Sequence, residues 1–150
     1  MNQRTEINQF LGANKIAIAG VSRNKNKFGS AVYRELLKKG INAVPMNPNM
    51  ETAEGNQCFS GVSSLPKEVD ALLCVVQPAE TEKLVKEAHA AGITKIWMQQ
   101  GSQSENALAW GRDNGMSIVS KACILMYADP VGSIHKFHRG IAKIFGGYHK

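Results

Sequence analysis

The sequence predicts an α/β domain, an open parallel sheet of about five strands with helices on both faces. Three observations carry this. Short apolar runs and helical stretches alternate about five times along the 150 residues, the pattern of a parallel sheet with right-handed crossovers. The most apolar run, Val69–Val76, is continuous rather than alternating, as in a central strand covered on both faces. Glycines punctuate the helix ends at Gly12, Gly40, Gly92 and Gly115.

Taken in order, Asn2 to Phe10 forms a short amphipathic helix with Ile7, Phe10 and Leu11 on its apolar side. Lys15–Ala19 is the first strand, and Phe28 to Lys39 the first long helix, with Val32, Tyr33, Leu36 and Leu37 at helical spacing. Ile41–Met46 is the second strand, stopped by Asn47-Pro48-Asn49. Gly55 to Gly61 is turn-like, with Cys58-Phe59 a short extended piece that places a Phe in the core. Ser63 to Glu68 is a helical turn leading into Val69–Val76. Glu80 to Ala91 is a helix with Leu84, Val85 and Ala88 on one stripe and Gly92 beyond its end. Ile93–Met98 is the fourth strand, Glu105–Asn114 a helix burying Leu108 and Trp110, and Met116–Val119 the fifth strand. Ala122–Tyr127 packs beside the sheet, and Ser133–Phe145 is a final helix. No linker, repeat or low-complexity segment interrupts the chain, so residues 1–150 are expected to form one domain. An N-terminal helix (1–14) and a helical tail (128–150) flank its centre.

The composition narrows the function classes. No apolar run approaches the roughly 18 residues of a membrane span, and the N-terminal MNQRTEINQF has no signal-peptide core. Cys58, Cys74 and Cys123 are far apart and odd in number, which argues against a disulfide framework. A cytoplasmic protein with reduced thiols is expected. The net charge of +6 permits nucleic-acid binding. There is no aromatic–basic ladder of the kind found in RNA-binding sheets, and a small anionic ligand accounts equally well for the densest basic group, Arg23–Lys27.

The stretch Lys15–Lys39 reads as strand, polar basic loop and helix. Gly20 permits close backbone approach, Ser22 supplies a hydroxyl, and Arg23, Lys25 and Lys27 supply charge before Phe28-Gly29-Ser30 enters the helix. Free N–H groups at a helix start, reinforced by the helix dipole, hold phosphate. An ordinary surface βα turn is the competing reading. In open α/β sheets ligands sit at the carboxyl ends of strands. The loops Gly20–Gly29, Asn47–Asn49, Gln77–Ala79 and Gln99–Ser102 are therefore expected to converge on an anionic, nucleotide-like cofactor.

A nicotinamide dinucleotide fits poorly. Gly20 and Gly29 do not form GxGxxG, and the second strand ends in Met46-Asn47-Pro48-Asn49 without the carboxylate that grips ribose. GxxxxGK[ST] is also missing. The segments IAIAGVSRNKNKFGSAVYRELLKKG, VPMNPN, VDALLCVVQPAET and KIWMQQGSQSENA, in that order across Lys15–Tyr127, resemble the CoA-binding domain proteins. These are stand-alone relatives of the Rossmann-like N-terminal domain of succinyl-CoA synthetase α subunits and ADP-forming acyl-CoA synthetases. The resemblance implies coenzyme A as the ligand. Gly20, Val21, Ser22 and Arg23 would lie along its phosphates, with Lys27, Phe28 and Gly29 closing over them. Asn47 and Pro48 would border the adenosine half. Val76, Gln77 and Pro78 would form the other lip beside the pantetheine arm, and Gln100-Gly101 would lie near its outer end. The second, catalytic domain of the ligases is not matched, and none of His89, His135, His138 and His149 corresponds to their phosphorylated histidine.

Other candidates read as ordinary structure. His135 and His138, with Cys123, fall short of a four-ligand zinc set. Cys74 belongs to the core, Cys58 or Cys123 could meet the CoA thiol in a mixed disulfide, and Trp97 and Trp110 are core or subunit contacts. Glu80 and Glu82 suit a helix start. No paired carboxylates and no Ser-His-Asp order suggest acid–base or nucleophilic chemistry. The expectation is a CoA or acyl-CoA binding protein without catalytic groups of its own. The alternatives are a CoA-binding subunit of a two-component acyl-CoA ligase or a diverged nicotinamide-dependent reductase. No nucleic-acid or membrane partner is expected, while self-association or a partner enzyme is left open.

Overall fold

A computed structural model describes residues 3–128. The elements run α1 (Gln3–Leu11), β1 (Ile16–Ala19), α2 (Phe28–Lys38), β2 (Ala43–Met46), β3 (Thr52–Ala53), β4 (Asn56–Gln57), β5 (Ala71–Cys74), α3 (Pro78–Ala90), β6 (Lys95–Gln99), α4 (Glu105–Asp113) and β7 (Ser117–Ala122). Single 3-10 turns lie at Val62–Ser64 and Ile124–Met126. Five strands make one sheet in the order β2-β1-β5-β6-β7, every pair parallel. The chain runs outward from β1 to β2 and then returns across β1 to β5. The order therefore reverses between β1 and β5, where an open α/β sheet leaves its crevice.

Each strand divides its side chains between two apolar layers. Ile16, Ile18, Leu73, Trp97 and Val119 pack with Ile7 and Phe10 of α1 and Val32, Tyr33 and Leu36 of α2. Ala17, Ala19, Leu72, Cys74, Ile96, Met98 and Ile118 pack with Leu84, Val85 and Ala88 of α3 and Ala107 of α4. This two-sided cover is why β5 reads as an unbroken apolar run. Trp97 is fully buried, edge-on to Phe10 at 5.4 Å, and its indole N–H donates to the carbonyl of Ala122 at 3.0 Å.

Several elements differ from the sequence expectation. β2 begins at Ala43 rather than Ile41, and α3 begins at Pro78, whose fixed φ suits the first helical position. The hairpin β3–β4 was not expected. It precedes Cys58, which is buried, whereas Phe59 is only half-buried and bridges Met46 at the edge of β2. In α4 the buried residues are Ala107 and Gly111, with Leu108 and Trp110 half-buried beside them. A Cβ on Gly111 would overlap Ile118 Cδ1, so the helix lies directly on the sheet through its small residues. β7 runs on to Ala122, with its register against β6 shifted at Met98/Gln99 and Lys121 at φ 60°. The expected helix Ser133–Phe145, with His135 and His138, lies outside the described residues.

The free edge of β7 is covered by side chains of α1. Glu6, 5% exposed, accepts the Ile118 N–H at 3.1 Å, Gln3 accepts the Ser120 N–H at 3.4 Å, and Arg112 pairs with Glu6 at 3.4 Å. Edge amides that would otherwise invite another strand are thus occupied.

Candidate functional site

The junction of β1 and α2 is built around two glycines. Gly20 sits at φ 109°, and a Cβ there would overlap the carbonyl oxygen of Val75. A Cβ on Gly29 would overlap the carbonyl oxygen of Gly20. The first turn of α2 is therefore pressed against the tip of β1, with no room for side chains between them. Between the glycines the loop is held by its own polar groups. The Ser30 hydroxyl accepts from the Ser22 N–H at 2.9 Å and donates to the Ser22 carbonyl at 2.8 Å. The Ser22 hydroxyl accepts from the Asn24 N–H at 3.1 Å, and the Arg34 guanidinium donates to the Lys25 carbonyl at 3.0 Å.

The start of α2 is uncapped. Its N-cap, Lys27, makes no side-chain bond to the helix, and the N–H groups of Phe28, Gly29 and Ser30 have no hydrogen-bond partner among the described residues. By contrast, Ser104 caps α4 by accepting from the Ala107 N–H at 3.1 Å. None of Arg23, Lys25, Lys27 and Arg34 forms an ion pair among the described residues. One terminal nitrogen of Arg34 is buried without an acceptor among the described residues. A cation at a helix N-terminus opposes the dipole, so the local charge arrangement favours an anion that is not part of the chain.

Around this junction the strand tips enclose connected hollows. The largest, about 780 Å³, has Ala19, Gly20 and Val76 at its floor. One wall is Met46–Asn49 with Ser60–Ser63, and the other is α3 through Glu80, Lys83, Leu84 and Glu87. A second hollow, about 640 Å³, shares Val76 and Glu80 and continues over Val75, Gln77 and Gln100–Ser102. A smaller recess, about 230 Å³, lies behind the basic loop between Val21, Ser22, Arg23, Lys25 and Tyr33.

The expected site residues divide among these places. Gly20, Asn47, Pro48 and Val76 line the main cleft, and Gln77, Gln100 and Gly101 line its extension beyond Val76. Ser22 and Arg23 border the small recess, where Val21 contributes a buried side chain. Lys27, Phe28, Gly29 and Pro78 line none of the three hollows. Gly29 is packed behind Gly20, Pro78 begins α3, and Lys27 and the half-exposed Phe28 stand at the mouth of α2. Two side chains serve the loops themselves. Asn47 donates to the Val21 carbonyl at 2.7 Å and accepts from the Asn49 N–H at 2.7 Å, and Arg23 donates to the Asn49 carbonyl. These bonds tie the tip of β2 to the β1 loop, so Asn47 and Arg23 shape the wall as much as they present polar atoms to the cleft.

The α3 wall and the Ser60–Ser63 wall were not expected. A stripe of charges on a helix reads as solvated surface unless the opposite wall is known. The sulfur groups are largely withdrawn. Burial pushes the Cys74 thiol up to about 12, with Glu80 adding to the shift. Burial raises the Cys58 thiol as well, against a lowering backbone contact at Asn47. Cys123 is half-buried. No group of three or more His, Cys, Asp or Glu side chains suited to a metal ion occurs among the described residues. No helix among them is long and apolar enough to cross a membrane.

Residues 14–129 match the family model of the CoA binding domain. The chain belongs to the CoA-binding domain family. A Bacillus subtilis protein, the uncharacterized YneT, is 22% identical over 122 residues, covering 81% of this chain and 90% of that protein. The α subunit of the ADP-forming acetate–CoA ligase II of Pyrococcus furiosus is 23% identical over 129 residues, 79% of this chain but only 28% of that subunit. Among solved structures, a conserved hypothetical protein from Pyrococcus furiosus superposes with a TM-score of 0.71 at 38% identity, covering 74% of this chain and 96% of that one. Within the CoA-binding family, then, this chain is similar over most of its length to small proteins and to about a quarter of a ligase subunit. All four converging loops lie within the matched span.

Proposed function

We propose that the chain binds coenzyme A or an acyl-CoA without carrying the catalytic groups of an acyl transfer. The phosphates rest on the β1–α2 junction. The observation that carries this reading is the uncapped start of α2. Among the described residues, three N–H groups there lack hydrogen-bond partners and the four cations beside them lack carboxylate partners. Backbone donors and a helix dipole together make an anion site. Family membership supports coenzyme A as that anion. The adenosine half would occupy the main cleft between Pro48 and Leu84, whose mixed apolar and polar lining suits a base and a sugar. The arm would pass Val76 into the second hollow toward Gln100 and Gly101. The test is thermal denaturation with saturating ligands. CoA raises the melting temperature, whereas NAD(H) and NADP(H) do not. A ligand at a hundred times its Kd adds about 2.7 kcal/mol. Melting unchanged by CoA and acetyl-CoA overturns the proposal.

The alignment to a ligase α subunit favours one second reading, in which this chain is the CoA-binding part of a two-component acyl-CoA ligase. Co-purification with an ATP-grasp protein supports it, and acyl-CoA formation only in the mixture establishes it. A nicotinamide-dependent reductase is disfavoured, because the tip of β2 presents Asn47, whose side chain is already committed to the loops.

A further inference from the structure

Gln99, the last residue of β6, is fully buried, and its side-chain nitrogen has no hydrogen-bond partner among the described residues. The orientation of the amide is fixed. Its oxygen accepts the Ile124 N–H at 3.0 Å, so the nitrogen must be the unpaired end. Buried donors are nearly always paired, and leaving one unpaired is costly.

Register places this donor relative to the phosphate junction. Ala19 is paired with Cys74, Cys74 with Met98, and Gln99 with Ala122. One residue further on, Gly20, Val75 and Gln99 therefore stand in a single row across the strand tips. Strands lie about 4.8 Å apart, so Gln99 is roughly 10 Å from Gly20, two strands over. Val75, between them, lines the second hollow, as do Gln100–Ser102, which follow Gln99 in the chain. The turn after β6 is closed by the Ser102 N–H donating to the Gln99 carbonyl at 2.8 Å, and its two central residues, Gln100 and Gly101, are exposed.

Resting on the CoA reading above, we propose that the Gln99 side-chain amide is a ligand donor that holds a carbonyl oxygen of the ligand's amide- or thioester-bearing arm. The phosphates lie at Gly20 and the arm runs along the row over Val75. Because Gln99 is fully buried and lines none of the three hollows, a shift of the Gln99–Ser102 turn is needed to bring a carbonyl to its N–H. The donor, unpaired among the described residues, is thus satisfied by the arm.

The test compares CoA with its nucleotide portion alone, 3′-phosphoadenosine 5′-diphosphate, by isothermal titration calorimetry on the full chain and on Gln99→Met. The wild-type chain binds CoA more tightly than the nucleotide. Gln99→Met lowers CoA affinity about tenfold, one hydrogen bond's worth, and leaves nucleotide affinity unchanged. Gln99→Met also removes the acceptor of the Ile124 N–H and so lowers the melting temperature in either case. A purely structural Gln99 weakens both ligands equally, which overturns the assignment, as does unchanged CoA affinity. A second measurement needs no variant. In 15N-labelled protein the Gln99 side-chain NH2 signals shift with CoA and stay in place with the nucleotide, and equal shifts with both overturn the assignment. If the wild-type chain binds neither ligand, the CoA reading itself falls and this assignment with it. Binding of the nucleotide and CoA with equal affinity leaves the CoA reading standing and overturns the role of Gln99 alone.

Discussion

Lys27 offers a test in which stability and binding move in opposite directions. It occupies the N-cap of α2, makes no side-chain bond there, and is exposed and without an ion-pair partner among the described residues. A cation at a helix N-terminus faces the positive end of the dipole, and a carboxylate there stabilises by about 0.3–1 kcal/mol. Lys27→Glu replaces an unfavourable term with a favourable one. For a chain of this size 1 kcal/mol corresponds to about 2–4 °C, so the melting temperature holds or rises by that amount. Binding goes the other way. A unit charge about 4 Å from a phosphate in a well-hydrated loop contributes about 1 kcal/mol, and reversal doubles the change. CoA affinity therefore falls about 30-fold, and further when Arg23→Glu is added. The assay is differential scanning fluorimetry with and without CoA, backed by calorimetry at two salt concentrations, since screening shrinks the loss. A variant that loses stability and keeps its CoA affinity refutes the reasoning.

Other outcomes follow from the same geometry. Gly29→Ala places a Cβ into the carbonyl of Gly20 and is expected to lower the melting temperature and abolish CoA binding together, because the tip of β1 and the start of α2 must separate. Glu6→Ala removes the acceptor of the Ile118 N–H and the partner of Arg112, with an expected loss of about 1–3 kcal/mol in urea unfolding and no change in CoA affinity. Asp70 is drawn below the usual aspartate range. Burial opposes this but is outweighed by the N–H groups of Lys15 and Asn14 and by Lys95. A lowered folded-state value gives stability that is present above the unfolded value near pH 4 and lost as pH falls through the folded one. Asp70→Asn therefore lowers the melting temperature at pH 7, where the ionised Asp70 stabilises the fold, and flattens its fall below about pH 4. In alkylation of the native protein followed by mass spectrometry, Cys123 reacts before Cys58 and Cys74, which are buried with raised thiols.

Much of this architecture was written in local signals. The continuous apolar run of β5 can be satisfied only between two helical layers, and Gly92 and Gly115 stand beyond the ends of α3 and α4 at positive φ, as their placement suggested. The Gly20–Gly29 loop announced itself because small residues and cations gather where a strand meets a helix. Features made by residues distant in sequence were not legible. The hold of Glu6 on β7 joins positions more than a hundred residues apart, and an acid in a nine-residue helix looks like any solvated charge. The α3 wall of the cleft was missed for the same reason, because Glu80, Lys83 and Glu87 acquire meaning only opposite Pro48 and Ser60. Phe59 was expected inside by size alone, but the small Cys58 took the buried position against the Asn47 carbonyl. Asn47 and Pro48 line the main cleft, yet the commitment of Asn47 to the loops depends on the tip of β1, which sequence spacing does not reveal.

The most direct measurement is a crystal structure of the chain grown with CoA. The account predicts the pyrophosphate oxygens within hydrogen-bond distance of the Phe28, Gly29 and Ser30 N–H groups, the base between Pro48 and Leu84, and the arm crossing Val75 toward Gln99. CoA bound with its phosphates away from the start of α2 contradicts it.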